Sequence, residues 1–241
     1  MNISSKLSVE EIEAQLSKAI QAEEPIIITT YTFPHEMDLY IGKLLSIFFN
    51  QIQKEQITDY IVYGVRELIG NAKKANTKRI FFAEKGLDIN NEEDYVIGMS
   101  RFKEETFKNL NHYLQLQKEK GLYIKLMIQM KEELLNIEVR NNVKITEAEL
   151  RRIEEKFLLA KKFNSMDEVI TQVMDTTEGS GLGLIILILM MRKMGIDKEN
   201  LRINNGEQET VVKIALPLEA ISPEEIEEVE DIEEIEEVEE I

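Results

Sequence analysis

Apolar residues recur along this chain at two spacings, and the switches between them mark its elements. Ser8 followed by Glu11 is a capping-box pattern, and Ile12, Leu16, Ala19 and Ile20 continue at helical spacing, predicting a short helix to about Ala22. Pro25 stops it. The β-branched run Ile26 to Tyr31 predicts a strand, which Pro34 ends. Ile41, Leu44, Leu45, Phe48 and Ile52 predict a helix from about Glu36 to Lys54, and a second is expected from about Ile57 to Ala75. Arg79 to Ala83 reads as a strand. One or two amphipathic helices are expected between Asn90 and Lys120, with Tyr95, Met99, Phe102, Leu110, Tyr113 and Leu114 on a shared face. Tyr123 to Ile128 and Leu134 to Val139 read as a hairpin. Asn141 to Glu178 has helical patches but no clear strand, Leu182 to Met194 reads as a buried helix, and two strands flank Asn204, Asn205 and Gly206.

Helices alternating with strands in this order predict an α/β fold, a two-layer sandwich whose mixed, mostly antiparallel sheet is covered by helices on one face. The expected organisation is an N-terminal helix over 1–24 and a domain over 25–218, with a helical insert about 88–121. An acidic low-complexity tail over 219–241 follows, expected to be disordered alone. In that tail Ile and Val recur every third residue from 226 to 241, a period that drifts around an α-helix and forms no fixed stripe. Solubility is its plainest role; a docking segment for a basic partner, or a cover for the protein's own cationic site, is the alternative.

Charge changes the picture only after it is divided. The formal charge is -17 over 241 residues, but 13 acidic residues and no basic one fall between Glu219 and Ile241, leaving a mildly acidic body near -4. Nucleic acid is not an expected partner. There is no cysteine, which excludes disulfides and thiolate-bound metals. The acidic N-terminus lacks a leader pattern, and the longest uncharged apolar run, Leu182 to Met191, is too short to cross a bilayer. A cytoplasmic location is expected.

Two segments carry candidate chemistry. On the helix beginning near Ile57, Glu67, Asn71 and Lys74 fall at i, i+4 and i+7, on one stripe beside the apolar stripe Ile61, Val65, Leu68, Ala72 and Ala75. A carboxylate, an amide oxygen and an ammonium pointing one way suit a nucleotide triphosphate with magnesium, although spacing alone more readily describes a solvated helix face. About a hundred residues later, Gly179-Ser-Gly181-Leu182-Gly183-Leu184 precedes an apolar helix, where glycines let outward-pointing amides approach a phosphate.

Together, in this order and at this separation, the two segments resemble the ends of the ATP site in the superfamily that joins sensor histidine kinases, gyrase-type ATPases and anti-sigma-factor kinases. Glu67-Leu-Ile-Gly-Asn71-Ala-Lys-Lys74-Ala resembles its N-box, and the glycine segment resembles its second glycine box residue for residue. The resemblance covers about Ile26 to Leu218 and implies the Bergerat fold, with ATP and magnesium as ligands. It gives Asn71 the metal, Lys74 a phosphate and Glu67 the position of the gyrase-type general base. It gives Gly179, Gly181, Leu182, Gly183 and Leu184 the phosphate cradle, and it sets Thr210, on the last strand, near adenine. Thr146 to Glu178 lies where the family has its ATP lid, with Phe157 or Phe163 as the lid aromatic.

The likeness departs from the family at one place. Where the family carries Asp-x-Gly-x-Gly, this chain has Asn141-Asn-Val-Lys-Ile145, so a neutral amide stands at the adenine-binding carboxylate and no glycine follows. A sensor kinase's phosphoacceptor hairpin is also missing. His35 lies only 36 residues before Asn71, and His112 falls on the helical insert. The arrangement from Ile26 to Asn76 looks instead like the anti-sigma-factor serine kinases, which phosphorylate a separate protein. A stand-alone protein kinase acting on a response regulator or sigma-factor partner is the leading expectation, and a non-catalytic nucleotide switch is the alternative. A gyrase-like ATPase would need a downstream transducer domain.

Overall fold

The computed structural model describes residues 8–163, 168–169 and 182–221. The first helix, α1 (Val9–Gln21), starts as its capping box dictates. Ser8 Oγ accepts from the Glu11 amide at 3.3 Å while the Ser8 amide donates to Glu11 Oε2 at 2.8 Å. β1 (Ile26–Thr30) and α2 (His35–Gln51) follow, and α2 buries Ile41, Leu44, Leu45, Phe48 and Phe49.

The next element departs from expectation. α3 runs without interruption over Thr58–Lys85 and absorbs the expected strand Arg79 to Ala83. Consecutive Ile80, Phe81 and Phe82 fit a buried strand and a fully enclosed helix equally well, and packing decides. All three are 1% exposed or less, wrapped by α4 (Glu92–Lys108) and α5 (Leu110–Glu119) in a second small core with Tyr95 and Tyr113. The expected face of the insert holds for Tyr95, Met99, Phe102 and Tyr113, whereas Leu110 stays exposed.

β2 (Ile124–Lys131) and β3 (Leu134–Asn141) form the expected hairpin, then come α6 (Glu147–Ala160), α7 (Leu182–Lys193), β4 (Leu201–Asn205) and β5 (Thr210–Pro217). The sheet order is β1-β2-β3-β5-β4, and every neighbouring pair is antiparallel, where a mixed, mostly antiparallel sheet was expected. Its inner face carries Ile26, Ile28, Ile124, Leu126, Ile128, Ile137, Val139 and Ile214 into the main core beneath the helices. α7 is buried from Gly183 through Met191, as an all-apolar helix must be. The fold class is therefore α/β, a five-stranded antiparallel sheet with helices. No helix among the described residues is long and apolar enough to cross a membrane.

Candidate functional site

The middle of α3 and the start of α7 meet directly. The Asn71 amide nitrogen donates to Glu67 Oε1 at 2.6 Å, one helical turn apart. Against that carboxylate lies Gly183: a Cβ there would stand 2.3 Å from both Cδ and Oε2 of Glu67. One turn further along each helix, a Cβ on Gly64 would stand 2.7 Å from Leu187 Cδ1, so the two helices cross closely along this whole stretch. A Cβ at 183 would displace the end of the Glu67 side chain, so Gly183 of the second motif lies directly against Glu67 of the first. Leu184 is buried below it and Leu182 half-buried; Gly179 and Gly181 lie outside the described residues.

With its amide nitrogen held by Glu67, Asn71 turns its remaining polar atom, Oδ1, to a side chain environment that is exposed. Lys74 is also exposed and makes no ion pair among the described residues. Beside it, Lys73 is half-buried; burial first, and then the charge of Lys74, lower its pKa. Arg66, next to Glu67 in sequence, pairs with Asp38 of α2 at 2.9 Å and fixes α3 from the other side.

The second part of the site sits on the sheet. Asn141 ends β3 opposite Thr210 of β5 and Ile124 of β2. Its amide nitrogen donates to Asn76 Oδ1 at 3.1 Å, and Asn76 in turn donates to the Tyr123 carbonyl at 3.1 Å. Asn76 is fully buried and Asn141 nearly so. Sequence reading passed over Asn76, yet it continues the buried stripe of Leu68 and Ala72 at a four-residue interval, and a polar residue on such a stripe signals a partner.

The stretch lacking the family's glycines is held by side chains instead. Thr210 Oγ1 donates to the Val143 carbonyl at 2.7 Å. Asn205 bonds both ways with the Ile145 backbone, each at 3.0 Å. Asn142 accepts from the Tyr123 amide at 2.7 Å and donates to the Gly121 carbonyl at 3.0 Å. Thr210 therefore spends its hydroxyl on the turn rather than on a ligand, while Asn141 keeps its Oδ1.

Within the expected lid segment, α6 is anchored. Thr146 and Glu149 form a capping box, and the Glu149 carboxylate bonds Lys78 at 2.7 Å and Arg79 at 2.6 Å, tying α6 to the distal half of α3. Burial would raise the Glu149 pKa, but the Arg79 hydrogen bond and the Lys78 and Arg79 charges outweigh it and hold the group at about 2. At the other end Arg192 of α7 donates to the Phe163 and Ala160 carbonyls at 2.8 and 3.2 Å. Phe163 is buried in the main core and Phe157 packs partly against it, so neither stands free.

The two histidines sit on other elements, α2 and α5. His35 is exposed at the first position of α2, where Pro34 rather than His35 occupies the cap. His112 meets Glu84 at 2.7 Å, beside a cleft of about 540 Å³ lined also by Lys85, Asn109 and Tyr113. Glu84 lies seventeen positions beyond Glu67 on α3, some 25 Å away at ~1.5 Å per residue. That cleft is not part of the site.

A magnesium ion requires hard oxygen donors, which Asn71 Oδ1 and the Glu67 carboxylate supply in chemical type. No group of three or more His, Cys, Asp or Glu side chains that could hold a metal occurs among the described residues. The donor set thus fits an ion that arrives with phosphate and water ligands, not an all-protein cage.

No family model matches the chain, and no solved structure matches it. A curated "Uncharacterized protein" of Treponema pallidum (strain Nichols) is 43% identical over 203 residues, which cover 84% of this chain and 40% of that protein. The chain spans less than half the length of that relative.

Proposed function

We propose that this chain is an ATP-binding signalling domain of the histidine-kinase-like ATPase superfamily, with a Bergerat-type fold, that passes the γ-phosphoryl group of magnesium-bound ATP to a partner protein. One observation carries the reading: Gly183 of the glycine segment is seated on the Glu67 carboxylate that also holds Asn71. Gly183 and Glu67, from motifs far apart in sequence and each weak alone, meet on the helix that also carries exposed Lys74.

In this reading Asn71 Oδ1 takes one position around magnesium, which when bound neutralises phosphate charge. Lys74 and the backbone amides entering α7 bind phosphate oxygens. Asn141 Oδ1 accepts from the adenine amino group, as a neutral hydrogen bond, while Asn76, Asn205 and Thr210 hold the surrounding turn. The acceptor belongs to the response-regulator or sigma-factor class of partner that the resemblance implies.

A second reading, a nucleotide-dependent switch without transfer, is favoured by one feature. Glu67 already accepts from Asn71 at 2.6 Å and abuts Gly183, so its carboxylate is engaged in holding the site together. Incubation with ATP labelled at the γ-position separates the two. Label moved to a partner protein, and lost in Asn71→Ala, supports transfer, whereas label released as free phosphate shows hydrolysis without it. Saturable binding without release or transfer supports the switch. Failure to retain label at millimolar ATP contradicts both.

A further inference from the structure

The sheet has two faces, and only one is spent on the core. Alternation along the strands sends Lys125, Met127, Glu138, Arg140 and Lys213 to the face away from the helices. Ile27, Met127 and Val211 on that outer face belong to neither hydrophobic core. In a body with more acids than bases, this face is basic. Lys131 of β2 and Arg202 of β4 join Lys125, Arg140 and Lys213, while Glu138 is the one acid of the five strands on the same side. Glu138 is 7% exposed and shared by Arg140 at 2.6 Å and Lys213 at 3.7 Å. Glu209, in the turn between β4 and β5, is 3.9 Å from Arg140. Lys125 lies over the Tyr123 ring and Arg202 donates to the Glu199 carbonyl; neither they nor Lys131 make an ion pair among the described residues.

The acid that matches this face is on the same chain. Residues 222–241 carry twelve acids and no base, with Ile or Val at every third position from 226. That period forms no stripe on an α-helix, but an extended left-handed helix has three residues per turn and gathers them on one edge, with acids along the other two. Such an edge suits Met127 and Val211, half-buried between the cations. The segment follows Ile221, which is buried in the main core, and Leu218, whose amide donates to the Glu133 carbonyl at 2.9 Å. It therefore departs from the β2–β3 turn. The row of Lys125 and Arg140 lies ~20 Å from that turn at ~3.3 Å per strand residue, and twenty extended residues span ~60 Å at ~3.1 Å each. Glu132 and Glu133 stand at the turn, whereas four of the five cations lie in the two cross-strand rows furthest from it. Charge thus directs the segment up the face.

We propose that residues 222–241 lie across the outer face of their own sheet, acids against Lys125, Arg140, Lys213 and Arg202, and the Ile and Val edge against Met127 and Val211. The segment is a built-in cover that closes a basic surface to other anions. It makes no use of Glu67, Asn71 or Lys74, and it stands or falls apart from the nucleotide reading.

Because the chain has no cysteine, Glu236→Cys gives the full chain a single thiol for a nitroxide label. At 0.1 M salt, where charges act over ~10 Å, amide resonances of 125–127, 138–140 and 211–213 should lose at least about half their intensity, while those of α2 keep theirs. At 1 M salt, where that range shrinks to ~3 Å, at least about half of the loss should be recovered. Lys125→Gln with Arg202→Gln, at positions without ion pairs, should recover it likewise at low salt, with resonances elsewhere unchanged. A mixture of isotope-enriched unlabelled chain and unenriched nitroxide-labelled chain should show no loss, since the contact is within one chain. Equal loss in the mixture would assign the face to a second copy, and no loss in either sample would leave it to a separate acidic partner. Loss that survives the double substitution would owe nothing to charge. Each of these three results overturns the proposal.

Discussion

The Glu67 carboxylate rests on the α-carbon of Gly183, at a distance that leaves no room for a methyl group. This contact joins α3 to α7 and fixes the orientation of the Glu67 partner, Asn71. It sets a glycine of the second motif directly against the carboxylate of the first.

Gly183→Ala is therefore expected to push the flexible Glu67 carboxylate aside and off Asn71 at a stability cost of only about 1 kcal/mol or less, and to weaken nucleotide binding. Urea denaturation measures the first effect. Glu67→Ala added to Gly183→Ala should recover most of the stability, because the colliding group is gone, without restoring binding. Nucleotide binding by Gly183→Ala equal to that of the wild type would contradict a role for the Glu67–Gly183 contact in the site.

Asn76→Ala leaves the Asn141 amide nitrogen and the Tyr123 carbonyl without their partner in a buried setting. Each orphaned group costs about 1–3 kcal/mol, so thermal unfolding should shift down clearly. Nucleotide affinity should fall as well, since Asn141 is no longer oriented. A stability equal to wild type would mean that the Asn76–Asn141 bond contributes nothing.

How much of this was legible in the sequence depended on the range of the interaction. The Ser8–Glu11 box, the strand from Ile26 and the hairpin of β2 and β3 are written in residues a few positions apart, and they stand as expected. The run Arg79 to Ala83 misled because its local composition suits a strand, while the choice of helix comes from Tyr95, Phe102 and Tyr113 closing around it. Spacing puts Asn71, Lys74 and Glu67 on one stripe of a helix, and the family resemblance alone gives them roles. The seating of Glu67 against Gly183 was not legible, because no spacing rule specifies where two helices cross. The clamps that Asn142, Asn205 and Thr210 place on 141–146 were equally hidden: an asparagine in a turn looks the same whichever backbone it bonds.

Glu149 gives the fold an acid dependence of predictable sign. Its folded pKa is lowered from the ordinary 4.5 to about 2, so the carboxylate form is the one the fold favours. Its contribution is complete above the ordinary value and is lost as pH falls from there toward 2. Linkage puts that contribution at about 3 kcal/mol. Glu149→Gln should lower stability by a similar amount at neutral pH, leaving Lys78 and Arg79 without their shared acid, and should flatten the stability curve below about pH 5. Denaturant titrations across that range check both; a variant as acid-sensitive as the wild type would place the dependence elsewhere.

The most direct test of the nucleotide reading is calorimetric titration of ATP into the chain, with and without magnesium, in the wild type and in Asn71→Ala. The expected result is saturable binding by the wild type, with a dissociation constant between roughly 10 μM and 1 mM, that requires magnesium and weakens about tenfold or more in Asn71→Ala. No binding up to millimolar ATP, or an affinity that neither magnesium nor Asn71→Ala alters, would contradict it.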